Sequence, residues 1–179
     1  MKDSGKKKIK IAISGKSGCG NSTVSRLIAE KLGLRMINYT FHTIAEERGM
    51  DFNELCRLAE TDSSWDLFLD KKQVELAGDG CVLGSRLAVW LLKDADLKVF
   101  LDAPQDVRAK RIHKREGGVY EDIYRDTLER DNRDHTRYLK LYNIDNEKYD
   151  FVDIVIDTTQ FTPEEIANQI TAKAARIKK

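Results

Sequence analysis

The residues best suited to chemistry stand near the start of the chain, in Gly15-Lys16-Ser17-Gly18-Cys19-Gly20-Asn21-Ser22-Thr23. Glycines at 15, 18 and 20 permit tight turns and let the backbone come close to a ligand, so that successive N–H groups converge on an anion. In the phosphate-loop pattern GxxxxGK[ST], Ser22 takes the hydroxyl position that ligates Mg²⁺. The pattern asks for Lys where this chain has Asn21, which donates a hydrogen bond but carries no charge. Lys16 either supplies a cation from inside the loop or is a solvated loop residue; residue type alone leaves both open. A loop short of one positive charge is expected to turn over slowly. Cys19 stands at a helix start, where a thiol pKa is lowered, yet no His is paired with it as a catalytic thiol requires.

Two further sets carry charge. Arg108, Lys110, Arg111, Lys114 and Arg115 form a basic run with no acid among them, and Arg108, Arg111 and Arg115 share one helical face. Such a run is usually a solvated face. Beside a phosphate loop it could instead be an arginine-bearing lid that surrounds developing charge and excludes water. It lacks interleaved aromatics, which speaks against nucleic-acid binding. Arg130, Asp134 and Arg137 recur at spacings of four and three, on one face of a helix. They could be a salt-bridged surface, or could offer two guanidinium groups to a phosphate and a carboxylate to a sugar hydroxyl.

The elements that must hold these residues alternate. Ile9–Ile13 reads as a strand, and Ser22–Leu32 has helical apolar spacing that stops at Gly33, so the loop lies between strand and helix. Short strands are predicted at Leu34–Ile37, Cys81–Leu83, Val99–Leu101 and Phe151–Ile156. Helices are predicted at Phe41–Arg48, Asp51–Ala59, Trp65–Leu76, Arg86–Leu92, Val107–Arg115 and about Tyr120–Tyr138, with Gly117-Gly118 a break before the last. Thr162-Pro163-Glu164-Glu165 is a capping box that opens a final helix. Trp65 and Trp90 lie on apolar helical faces and read as core. The pattern predicts a three-layer α/β/α domain with a five-stranded parallel sheet. One domain is expected over residues 9–179, after a basic tail at residues 1–8.

Composition bounds the function. The chain has 179 residues, and 31 Lys+Arg against 30 Asp+Glu leave a net charge of +1, so charge-driven nucleic-acid binding is not expected. Three Cys without a CxxC read as reduced, intracellular thiols. No signal-like segment and no long apolar run are visible, so a cytoplasmic protein with no membrane partner is expected, and a monomer.

Taken in order, the blocks ISGKSGCGNSTVSRLIAEKLG, FHTIAEERGMDFNEL, VLGSRLAVW, VFLDAPQDVRAKRIHKREG, RDNRDHTRY, LYNID and DIVIDTT resemble the cytidylate kinases among the nucleoside monophosphate kinases. Their spacing is similar to the compact form of that family, without a large inserted domain. The resemblance implies a P-loop NTPase-like fold with a short helical lid. It also implies transfer of the ATP γ-phosphoryl group, with Mg²⁺, to CMP or dCMP. Gly15–Thr23 would hold the ATP phosphates, and Arg108, Arg111 and Arg115 match the lid arginines. Arg86, Arg130, Asp134 and Arg137 match acceptor-binding positions. His42 stands where the family usually has an arginine on the acceptor phosphate, and Gly84-Ser85 replaces an acidic-Gly pair before Arg86. These departures keep two other readings open: a P-loop kinase with another small acceptor, and a catalytically weakened nucleotide-binding module.

Overall fold

The structure is a computed structural model that describes Lys8–Ile177; residues 1–7 of the expected basic tail lie outside the described residues. Five parallel strands form one sheet: β1 (Lys10–Ser14), β2 (Arg35–Ile37), β3 (Cys81–Gly84), β4 (Leu97–Asp102) and β5 (Ile154–Asp157). They run in the order β2-β3-β1-β4-β5, with Ile11 opposite Val82 on one side and Leu97 on the other. β1 is therefore central, and its residues are buried on both faces, as a near-continuous apolar run requires.

Strand alternation divides the core. Ile11, Ile13, Val99 and Leu101 pack against α1 (Asn21–Leu32) and the C-terminal α8 (Pro163–Arg176) through Val24, Ile28, Ile166 and Ile170. Ala12, Cys81 and Leu83 face the other way, onto α5 (Ala88–Leu91) and Leu92. The Thr162–Glu165 capping box forms as expected at the start of α8. Right-handed crossovers put α1 on one face because the chain moves from β1 toward β2, and α5 on the other because it then crosses β1 to reach β4.

Between β2 and β3 stand three helices, α2 (Phe41–Arg48), α3 (Phe52–Thr61) and α4 (Ser64–Leu76). They bury Ile44 and Leu55 with Trp65, Phe68 and Leu69 packed around them, a small core of their own. Trp90 packs against the core beneath the sheet, so both tryptophans are partly buried and lie against cores, as their apolar faces predict. After β4, α6 (Gln105–Glu116) and α7 (Tyr120–Tyr142) form an antiparallel pair joined at Gly117 and Gly118, whose φ values are 75° and 94°. Among the described residues no helix is long and apolar enough to cross a membrane.

Predicted and observed elements differ mainly at their ends. The last strand begins at Ile154, not Phe151, because Phe151 turns to meet Trp90 edge-on. Asp153 closes the strand entrance: its N–H donates to the Lys98 carbonyl at 2.9 Å, and its carboxylate accepts from Lys98 N at 2.7 Å. Gly84 ends β3 where a side chain has no room. A Cβ there would collide with Ser25 Oγ, so α1 lies directly on this strand end.

Candidate active site

A cleft of about 1770 Å³ opens at the carboxyl ends of the strands, between α1, the α2–α4 lobe and the α6–α7 pair. Single-ligand pockets run to about 1,000 Å³, so this one has room for two nucleotides. Lys16, Ser17, Gly18, Cys19, Gly20, Asn21, Ser22 and Thr23 all line it. Gly15 lies behind them, and its carbonyl accepts from Asn21 Nδ2 at 2.6 Å.

The loop's geometry suits a polyanion. Gly20 is the N-cap of α1, with φ 99° and no side-chain cap, and the first helical bond is from Val24 N to Gly20 O. The N–H groups of Asn21, Ser22 and Thr23 thus sit in the first turn, where a helix has no internal acceptors to offer and its dipole favours negative charge. Gly18 lies so close to α6 that a Cβ would come within 2.9 Å of both Arg108 Cβ and the Arg108 carbonyl. Asn21 Oδ1 and Ser85 Oγ are buried without a hydrogen-bond partner. The uncapped N–H groups fit phosphates, and the Ser22 hydroxyl beside them is an oxygen ligand that fits a hard cation. The Cys19 thiol is 2% exposed, and burial pushes its pKa up to about 11, overriding the nearby Arg108. The expected lowering does not occur, and Cys19 is an inert packing residue.

The basic run on α6 divides. Arg108 is 4% exposed and does not face the cleft. Its guanidinium pairs with Asp131 at 2.7 Å and donates to the carbonyls of Ala103 at 3.1 Å and Ser17 at 3.2 Å. This corrects its assignment as a lid arginine: three turns of α6 carry the face from under the phosphate loop to the solvent, and position 108 falls at the buried end. Arg111 lines the cleft, donating to Gly18 O at 3.2 Å and to Thr158 Oγ1 and O at 2.8 Å. Arg115 and Lys114 are exposed at its mouth, and among the described residues Arg115 pairs only with its neighbour Glu116. Lys16 is held by Glu147, Nζ to Oε1 3.2 Å.

The opposite wall brings the remaining arginines together. Arg86 Nη1 lies 2.5 Å from Asp134 Oδ2, and Arg137 Nη2 donates to Asp134 Oδ1 at 2.9 Å. Asp134 therefore orients two guanidinium groups. Arg137 Nη1 also pairs with Asp66 of α4 at 3.2 Å. Arg130 lines the same wall without a hydrogen bond or direct ion pair among the described residues. Arg130 is solvent-exposed, yet partial desolvation by the surrounding wall, and then the like charge of Arg86, lower its pKa. His42 does not join them: it is exposed and stacks on Phe52, ring centroids 3.6 Å apart, outside the cleft. The sequence placed it by its position after β2, but α2 turns it to the outer side of the lobe.

Three residues of this wall were not singled out from the sequence: Asp66, Asp70 and Gln73, on the cleft side of α4. Burial pushes the Asp70 carboxyl up to about 6, although its Oδ2 accepts from the Tyr142 hydroxyl at 2.6 Å. Burial raises Asp66 too, against the pull of Arg137. Their spacing of four was the available signal, but acids at that spacing are common on exposed helices.

A central strand running into an uncapped glycine loop, flanked by an arginine-lined cleft with room for donor and acceptor, defines a P-loop kinase. The fold is similar to shikimate kinase from Acinetobacter baumannii, with a TM-score of 0.62 at 18% identity over 96% of both chains. It is also similar to deoxyadenosine kinase from M. mycoides, with a TM-score of 0.57 at 19% identity over 93% of this chain and 100% of that one. Within this class the chain belongs to the cytidylate kinase-like family, whose model matches residues 10–160. It is 49% identical to cytidylate kinase 2 of Borrelia garinii over 88% of this chain and 92% of the relative. It is 40% identical to cytidylate kinase of Pyrococcus horikoshii over 89% and 84%.

Proposed function

We propose that this protein transfers the γ-phosphoryl group of ATP to CMP or dCMP, using Mg²⁺, in the cytoplasm. The observation that carries the reading is the Arg86–Asp134–Arg137 cluster with Arg130 beside it, across one cleft from the uncapped start of α1. One side suits the phosphates of a donor, the other the phosphate and sugar of an acceptor.

The chain's own groups bind, orient and neutralise. The N–H groups of the loop hold the donor phosphates, and the Ser22 hydroxyl is the side chain that would hold the metal. Mg²⁺, when bound, neutralises charge on the β- and γ-phosphate oxygens. Arg130 and Arg137 grip the acceptor phosphate, whose oxygen is already an anion at neutral pH, so no general base is needed. Asp134 keeps two guanidinium planes fixed before the substrate arrives, which is preorganisation rather than direct chemistry. Arg111, Lys114 and Arg115 approach from α6 and close the mouth against water.

A coupled ADP-release assay over nucleoside monophosphates and small hydroxyl acceptors tests this. CMP and dCMP are expected to give the highest kcat/KM. ADP release that no nucleotide stimulates, or that a sugar or shikimate-like hydroxyl stimulates best, would overturn it.

A further inference from the structure

Resting on that activity, we propose that the inner face of α4, through Gln73 Oε1 and the Asp70 carboxylate, reads the exocyclic amine of the acceptor base and so selects cytosine over uracil.

Asp66, Asp70 and Gln73 fall at spacings of four and three and share one helical face, which lines the cleft. Asp66 ties this face to the phosphate-binding wall through Arg137, 3.2 Å away. At 1.5 Å of rise per residue, Asp70 lies about 6 Å and Gln73 about 10 Å along α4 from that tie. A nucleotide with its phosphate on Arg130 and Arg137 therefore runs its base toward Asp70 and Gln73. Phe41, which opens α2 on the same cleft, offers an aromatic face for that base.

Both side chains have their polarity fixed by neighbours. Gln73 Nε2 donates to the Tyr39 carbonyl at 2.8 Å. A backbone carbonyl only accepts, so the amide cannot flip without losing this bond, and Oε1 is the end left for a ligand. Tyr39 is itself 5% exposed and bonded through its hydroxyl to Glu47. Asp70 Oδ2 is taken by the Tyr142 hydroxyl, whose pKa is raised by burial and by this bond, so Tyr142 stays a donor. Oδ1 receives no hydrogen bond among the described residues. Two acceptors thus face the cleft. Cytosine carries an N4 amine that donates to them, whereas uracil carries O4, an acceptor, at the same place. A site built to bond a donor strongly rejects the analogue without it, because its own polar groups are left unpaired. Asp66 lies next to Arg137, at the phosphate end of this face, and Arg86 is committed to Asp134.

The experiment compares kcat/KM for CMP, UMP and the monophosphate of 2-pyrimidinone riboside, which lacks the amine, in the wild type and in Asp70→Asn and Gln73→Met. The wild type is expected to prefer CMP at least a hundredfold over UMP and at least tenfold over the amine-free analogue. Asp70→Asn, whose amide can turn an N–H toward O4, should narrow the CMP-to-UMP ratio at least tenfold, and Gln73→Met should bring CMP and the amine-free analogue within a few-fold. Thermal midpoints show that the variants are folded. If the wild type uses CMP but handles the amine-free analogue equally well, the inference is wrong while the activity stands. If both variants keep the wild-type ratios, Asp70 and Gln73 merely tie α4 to Tyr142 and Tyr39, and the inference is again wrong. If the wild type phosphorylates no pyrimidine monophosphate, it is the activity itself that fails.

Discussion

Replacing Lys16 by Ala should remove the positive charge that the phosphate loop needs. Asn21 cannot supply it: its Nδ2 is turned back onto the Gly15 carbonyl at 2.6 Å and its Oδ1 is buried, so the side chain braces the loop. Lys16 is the loop's own cation on the cleft, and a slow, charge-deficient loop is expected only if its ammonium does not reach the donor phosphates. Its partner Glu147 is 63% exposed, and a pair of that kind is worth under about 1 kcal/mol, so the ammonium is freed at little cost. A preorganised donor on the transferring group contributes about 3–4 kcal/mol, so Lys16→Ala should lower kcat by about 10²–10³. Lys16→Arg should keep most of the rate. Asn21→Lys forfeits a loop hydrogen bond of about 1 kcal/mol and duplicates a charge already present, so kcat should change less than tenfold. Acceptor-dependent ADP release, with ATP and acceptor both saturating, gives each kcat. A rise of tenfold or more in Asn21→Lys, with little loss in Lys16→Ala, would refute this argument and show the loop to be short of charge.

Arg108→Ala leaves Asp131 as an uncompensated buried charge and should cost about 3–5 kcal/mol, read as a fall in thermal midpoint, whereas Arg115→Ala should leave the midpoint near wild type and lower kcat. Arg130→Ala should raise the acceptor KM by about ten- to a hundredfold, from a charged hydrogen bond worth about 1.5–3 kcal/mol, with the ATP KM nearly unchanged in the same steady-state assay. Asp70 titrates at about 6 in the fold against an ordinary 3.8, so between those values the folded state holds the extra proton and stability rises as pH falls. Asp70→Asn should therefore stabilise the protein above about pH 6 and match the wild type near pH 4. Two pH units convert to about 3 kcal/mol, which partial contact with cleft water reduces to about 1–2 kcal/mol by urea unfolding.

Much of the donor side was legible because it is local. The glycine loop between Ile13 and Val24 is contiguous, and strand, turn and helix signals agree across it. Arg130, Asp134 and Arg137 were legible as one face because helical spacing alone fixes it. That Arg86 and Asp66 reach the same face was not, since both arrive from distant segments by tertiary packing. Arg108 and Arg111 have the same type and the same helix, and only the depth of α6 against the loop separates a buried support from a cleft residue. His42 shows the converse: its place in the chain was right for the acceptor, but one residue of helical rotation gives the cleft to Phe41.

The Arg108 contacts also bear on the order in which the molecule becomes itself. They join Ser17 in the loop, Ala103 after β4 and Asp131 on α7, segments separated by most of the chain. Until α7 has docked, Arg108 has no acid beside it and a charge buried under the loop is costly. The glycine loop precedes residue 131 in the chain by more than a hundred residues, so the contacts that brace the loop from below are complete only once α6 and α7 have docked. Capture of ATP by a nascent chain would therefore mark the end of its folding, not the beginning.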